Sequence, residues 1–177
     1  MDREQRDAAG ELVDLIDPAD RVIGWARRGA VRHRNLLHRG VGILCRDGAG
    51  RIYVHRRTAT KDLFPSMYDM FVGGVVARGE GYEQAARREI AEELGIAGAA
   101  PRRIFTHLYL GDRNRSLVAV YDVIWEGAIR HQEEEVSWGA YMTAREIEEK
   151  LRIWPFVPDG EEIYRSLPDA YRRELEA

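Results

Sequence analysis

The sequence has little cysteine, little lysine and no long apolar run. Cys45 is the single cysteine of 177 residues, which excludes an internal disulfide and any cysteine-based zinc cluster. A reducing, cytoplasmic setting is the expectation. No charge-free apolar stretch approaches the length that spans a bilayer, so no membrane partner is expected. The N-terminal run MDREQRDAAGELVDLID is charged from its second residue, without the basic and then apolar regions of a secretory signal. Lysine occurs only at Lys61 and Lys150, arginine supplying the rest of the 27 basic residues. Against 30 acidic residues the net charge is −3, which argues against a general binder of nucleic-acid polymers. Internal repeats and low-complexity linkers are also missing. With 45% hydrophobic and 32% charged residues, the chain fits one soluble domain burying about 70% of its unfolded surface.

What is there is unevenly placed. Between Asp20 and Asp47 no acidic residue occurs, but Arg21, Arg27, Arg28, Arg32, Arg34, Arg39 and Arg46 do. From Glu80 to Glu93 the reverse holds, with Glu80, Glu83, Glu89, Glu92 and Glu93 against Arg87 and Arg88. A near-neutral total thus conceals a basic segment and an acidic one.

Residues 1–10 read as a frayed end and 11–177 as one domain. LVDLID and RVIGWA flank Pro18 and predict a hairpin over about 12–26. GVGILCR and RIYVHRR straddle the turn Asp47-Gly48-Ala49-Gly50 and predict another strand pair. Met70–Val76 reads as a buried strand ending in a tight loop. Ala85, Ala86, Ile90 and Leu94 lie on one face of a helix predicted from about Tyr82 to Leu94, with Gly95 as its stop. Residues 103–110 and 116–126 predict two strands, Thr143-x-x-Glu146 a capping box, and residues 161–177 a helical tail broken at Pro168. This order suggests an α/β sandwich with a mixed, partly antiparallel sheet.

The chemistry concentrates on the central helix. Glu89, Glu92 and Glu93 stand at i, i+3 and i+4, so they share a face and repel. Arg88 can relieve this through Glu92, and a hard cation such as Mg²⁺ would remove the rest of the penalty. On spacing alone, a solvated helix face explains the pattern equally well.

The whole segment GVVARGEGYEQAARREIAEELGI, residues 74–96, resembles the Nudix box at every fixed position: Gly74, Glu80, Arg88-Glu89, Ile90, Glu92-Glu93, Gly95 and Ile96. The resemblance implies a Nudix-type α/β/α sandwich and a hydrolase that cleaves a diphosphate bond by attack of water on phosphorus. It implies Mg²⁺ or Mn²⁺ bound by Glu89, Glu92 and Glu93 with the Gly74 carbonyl, and Glu80 paired with Arg88 to hold the loop. The carboxylate that takes the proton varies among such enzymes; Glu92, Glu89 and the run Glu133-Glu134-Glu135, Glu135 above all, are the candidates.

The preceding stretch HRRTATKDLFPSMYDMFVGG is similar to the isopentenyl-diphosphate isomerase branch of the superfamily, which implies diphosphate contacts for Arg57 and Lys61. That branch carries a cysteine and a histidine around the box glycine, where this chain has Gly73 and Val75, so isomerisation is not expected. His38 matches one isomerase ligand by spacing, and Cys45 falls in a core strand. A non-catalytic regulator on the same fold is a third reading, opposed by the intact box. For the group beyond the diphosphate the candidates are Phe64, Tyr68, Tyr109 and the segment Trp154–Asp159. The predicted N-terminal hairpin offers an edge for a homodimer.

Overall fold

The computed structural model describes residues 10–176. The end read as frayed lies, but for Gly10, outside the described residues. In chain order the elements are β1 (Leu12–Ile16), β2 (Val22–Arg27), α1 (Arg28–His33), β3 (His38–Arg46), β4 (Ile52–Arg57), β5 (Tyr68–Asp69), β6 (Phe71–Val75), α2 (Tyr82–Leu94), β7 (Arg102–Leu110), β8 (Arg115–Ile124), β9 (Val136–Met142), α3 (Ala144–Lys150), α4 (Pro158–Arg165) and α5 (Asp169–Glu176).

β3 is the hub. It pairs in parallel with β8 from His38↔Ser116 to Arg46↔Ile124 and antiparallel with β6 from Gly40↔Val75 to Leu44↔Phe71. β7 extends this sheet antiparallel to β8, while β4 pairs antiparallel with β5 and β9. The sheet is therefore mixed. Successive side chains of a strand point to opposite faces, and β3 divides its apolar residues accordingly. Val41, Ile43 and Cys45 join Ala85, Ala86, Ile90 and Leu94 of α2 in one core. Leu44 faces a second core with Val120, Ile147, Ile163, Tyr164, Tyr171 and Leu175 from β8 and the C-terminal helices. Helices thus cover both faces of the sheet.

The turn expected at Asp47–Gly50 is present. The Asp47 carboxylate accepts bonds from Ala49 N–H (3.1 Å), Arg51 N–H (2.9 Å) and the Arg51 side chain (2.7 Å). The strands it joins are not a continuous pair, however. β3 and β4 share only the register Arg46↔Ile52 before diverging toward different neighbours. A turn sets the direction of the chain over a few residues, whereas β8, a ten-residue and largely buried strand, pairs with β3 along its whole length and β6 takes the other edge. In the N-terminal hairpin, β1 and β2 run antiparallel from Leu12↔Arg27, and Asp17 ties the turn through Ala19 and Arg21 N–H groups. The tail forms two helices around Pro168. The first begins at Pro158, earlier than the sequence pattern suggested, because proline is well suited to the first turn of a helix. α5 is fastened by the Tyr171 hydroxyl, which donates to the buried Asp122 carboxylate at 2.8 Å.

Candidate active site

The central helix spans Tyr82–Leu94 and stops at Gly95, whose φ of 66° is the left-handed conformation that glycine adopts at little cost. Its ends are fixed, so the glutamates are placed by periodicity. Ala85, Ala86, Ile90 and Leu94 enter the core. Glu89 and Glu93 sit at the margin of that face and are only 7% and 8% exposed. Glu92 is one step around the helix, with its side chain 52% exposed.

Arg88 organises the group. Its Nε and Nη2 donate to the two oxygens of Glu80, both at 3.0 Å, and Nη2 also reaches the Val75 carbonyl. Nη1 donates to Glu89 at 2.7 Å and Glu92 at 3.2 Å. Glu80 accepts the Ala77 N–H at 3.0 Å as well, so one guanidinium fastens the loop before the helix to strand β6 and to two of the three acidic residues. Burial opposes the charge on Glu80, yet these bonds hold its carboxyl below the usual range.

Among the described residues, Glu93 has no such donor. Burial and the neighbouring charge of Glu89 push its carboxyl up to about 8. Burial likewise raises Glu89, against the pull of Arg88. Gly74 of β6 stands directly against Glu89: a Cβ there would overlap the Glu89 carboxylate. The adjacent Gly73 is equally confined, since a Cβ at that position would overlap the Val41 carbonyl oxygen.

These residues line a cavity of about 980 Å³ together with Arg57 and Lys61. The Arg57 Nε donates to the Leu63 carbonyl at 3.3 Å, and no carboxylate pairs with this guanidinium among the described residues. Lys61 forms an ion pair with Glu135. Burial and the like charge of Arg57 draw its ammonium down to about 8, while Glu93 favours the charged form. Thr58 holds the two loops together by donating from its hydroxyl to the Glu134 carbonyl at 2.8 Å and from its N–H to the Glu135 carbonyl at 3.1 Å. Glu80, Glu89, Glu92, Gly74 and Arg88 are thus assembled around one loop, with Glu93, Arg57, Lys61 and Glu135 on the same cavity.

His38 also lines the cavity, with Nδ1 2.9 Å from the Leu36 carbonyl; burial lowers its pKa. Cys45 is buried beneath α2, its thiol pushed up to about 11 by burial. Of the aromatic candidates Phe64 lines the cavity, whereas Tyr68 stacks on Trp154 outside it at 4.1 Å and Tyr109 is buried elsewhere. Val157 and Asp159 of the segment 154–159 reach the cavity.

Sequence reasoning missed several cavity residues. Asp69 of β5 is one; it faces Asp159 of α4, whose Oδ1 is buried without a hydrogen-bond partner among the described residues. Burial and the nearby Asp159 charge push Asp69 up to about 7. Arg28 and Arg32, one turn apart on α1, form part of the wall. Their only forewarning was the acid-free arginine segment.

Comparison with known proteins identifies the family. Residues 36–167 match the model of the NUDIX domain. An uncharacterised Nudix hydrolase of Streptomyces coelicolor is 49% identical over 162 residues, covering 90% of each chain. An uncharacterised Nudix hydrolase of Escherichia coli, YfcD, is 40% identical over 158 residues, covering 89% of this chain and 86% of its own. The crystal structure of DR0079 from Deinococcus radiodurans superposes with a TM-score of 0.77 at 26% identity, covering 89% of this chain and 99% of that one. The chain belongs to the Nudix hydrolase family.

Proposed function

We propose that this chain hydrolyses a diphosphate bond in a small nucleoside diphosphate-type or related substrate, with Mg²⁺ or Mn²⁺ held by Glu89, Glu92, Glu93 and the Gly74 carbonyl. The observation that carries the reading is the pair of buried carboxylates, Glu89 and Glu93, on one cavity with the cations Arg57 and Lys61. Burial and neighbouring carboxylates oppose the charge on both groups; a bound cation would favour the ionised form, and oxygen donors suit a hard one. The missing Cβ of Gly74 leaves the space that the Glu89 carboxylate occupies beside the backbone. Among the described residues, no three His, Cys, Asp or Glu side chains are gathered around one point. Arg88 accounts for this by drawing Glu89 and Glu92 to itself, so metal binding requires Glu92 to exchange its 3.2 Å bond.

When bound, the metal would polarise phosphoryl oxygens and make water a better nucleophile. Arg57 and Lys61 would hold the non-reacting phosphate, the first by its planar fork and the second as a point charge. Of the candidate bases, Glu135 is engaged by Lys61, and Arg88 holds Glu89 at 2.7 Å but Glu92 only at 3.2 Å. The longer bond and greater exposure of Glu92 support it as the group that would take the proton of the attacking water.

This backbone, like the sequence, disfavours the isomerase reading. A cysteine at position 73 would need a Cβ where the Val41 carbonyl lies. The exposed Val22, Ile23 and Trp25 of β2 support self-association through the hairpin edge. The test of function is a panel of nucleoside di- and triphosphates, dinucleotides, sugar nucleotides and prenyl diphosphates, assayed with Mg²⁺ for phosphate or diphosphate release. At least one nucleotide is expected to be cleaved without any isomerisation of isopentenyl diphosphate; release from none contradicts the reading.

A further inference from the structure

Two oxygens on the cavity wall are unsatisfied. Among the described residues, the buried side-chain oxygens without a hydrogen-bond partner are Asn35 Oδ1 and Asp159 Oδ1, and both residues line this cavity. One turn, between β7 and β8, ties them together. The Asn35 amide donates from Nδ2 to the Gly111 carbonyl of that turn at 2.9 Å, which leaves its oxygen as the unused end. Asn114 of the same turn donates to Asp159 Oδ2 at 2.8 Å. A third acceptor stands beside them. Asp69 of β5 is buried, and its Oδ1 accepts the Phe71 N–H at 3.0 Å. A Cβ on Gly160 would overlap that oxygen, so the carboxylate sits against the start of α4, where Asp159 lies. Buried acceptors without donors weaken a fold, and a ligand bringing O–H or N–H groups to them removes the penalty. Hydroxyl groups fit better than amines. The cavity wall also carries an unmet donor, Arg28 Nε, and a hydroxyl both donates and accepts. Phe64, the aromatic candidate on this cavity, already carries the Arg113 guanidinium over its ring at 5.7 Å.

Resting on the hydrolase reading above, we propose that Asn35, Asp69 and Asp159 form a subsite for the hydroxyl groups of a sugar joined to the diphosphate, the ribose of a nucleoside diphosphate. The chain then selects its substrate through the sugar. A prenyl diphosphate, or a nucleotide stripped of its ribose hydroxyls, leaves the acceptors unpaired. A site built to accept hydrogen bonds from a hydroxyl rejects the analogue lacking it far more strongly than an apolar pocket rejects a missing methylene.

The test is binding by the metal-free full chain, measured calorimetrically with adenosine diphosphate and with dideoxyadenosine diphosphate, which keeps the base and the diphosphate but lacks both ribose hydroxyls. Wild type should bind adenosine diphosphate about tenfold more tightly, the scale of one hydrogen bond to a charged group. Asp159→Ala and Asn35→Ala should each erase most of that preference. Asp159→Asn, which keeps the size of the side chain and exchanges one acceptor for a donor, should lower it as well, and serves where an alanine variant fails to fold. Equal binding of the two nucleotides by wild type, or a preference unchanged in any folded variant of Asp159 or Asn35, overturns the proposal. Because the ratio is read without metal or turnover, it stands apart from whether the chain hydrolyses either nucleotide.

Discussion

Arg88 meets both carboxylate oxygens of Glu80 at 3.0 Å, across the loop that joins β6 to α2. The pair holds the backbone in which Gly74 lies against Glu89 and leaves the acidic helix face beside the cavity. Its role is therefore positional, and truncating it affects stability as well as turnover. Arg88→Ala strands a Glu80 side chain that is 9% exposed and leaves Glu89 without its donor. The loss should be about 2 to 3 kcal/mol, the lower range for breaking a buried ion pair because Arg88 is itself partly exposed. Urea unfolding at neutral pH, with an unchanged slope, measures it.

Gly74→Ala isolates geometry from charge. The added Cβ overlaps the Glu89 carboxylate, so Glu89 must swing away from the backbone while every titratable group remains. Turnover should fall by about a hundredfold, the scale of an ångström-sized misplacement at a reacting centre. The melting temperature should change far less than in Arg88→Ala. An alanine variant of wild-type activity would show that the close approach of Gly74 and Glu89 has no catalytic value.

Asp69 carries a pH prediction. Its carboxyl is buried and raised from an ordinary 3.8 to about 7, so the folded state binds the proton more tightly than the unfolded chain does. The stabilisation this gives is fully present below about pH 4 and disappears as pH rises through about 7. Asp69→Asn should therefore gain stability relative to wild type across that window, by no more than about 1.4 kcal/mol per pH unit. Chemical denaturation of both proteins at several pH values gives the difference directly, and a pH-independent difference would contradict the assignment.

The C-terminal helix offers a separate check on the fold. Tyr171 donates to Asp122, which is 3% exposed and also accepts bonds from Arg46 and Arg102. Tyr171→Phe removes one donor to a charged group and should cost about 1.5 to 3 kcal/mol, without altering catalytic constants. Parallel denaturation and activity measurements separate the two effects.

The sequence disclosed what local chemistry determines. Gly95 terminated α2, Thr143 and Glu146 formed the capping box that the structure shows, and the spacing of Glu89, Glu92 and Glu93 put them on one side of a helix. Pairing over distance was not legible: the Asp47 turn is visible locally, but nothing in it tells that β3 abandons β4 for β8. α1 was missed because it is a six-residue helix with one buried residue, Val31, too short to establish a period. Asp69 and Asp159 meet across a long separation in the chain, and a buried carboxylate leaves no periodic trace. The difference in environment among the three box glutamates was also hidden, because it depends on where Arg88 points.

The central claim is that Glu93, buried and without a donor of its own among the described residues, is held in that costly state for a divalent cation. Glu93→Gln tests it most directly, with turnover measured against Mg²⁺ concentration and stability measured in the same preparation. The account predicts loss of nearly all Mg²⁺-dependent turnover, together with stability equal to or above wild type at neutral pH, because a neutral amide replaces a carboxyl raised to about 8. Wild-type turnover in a well-folded Glu93→Gln protein, or activity indifferent to Mg²⁺ in both, would contradict it.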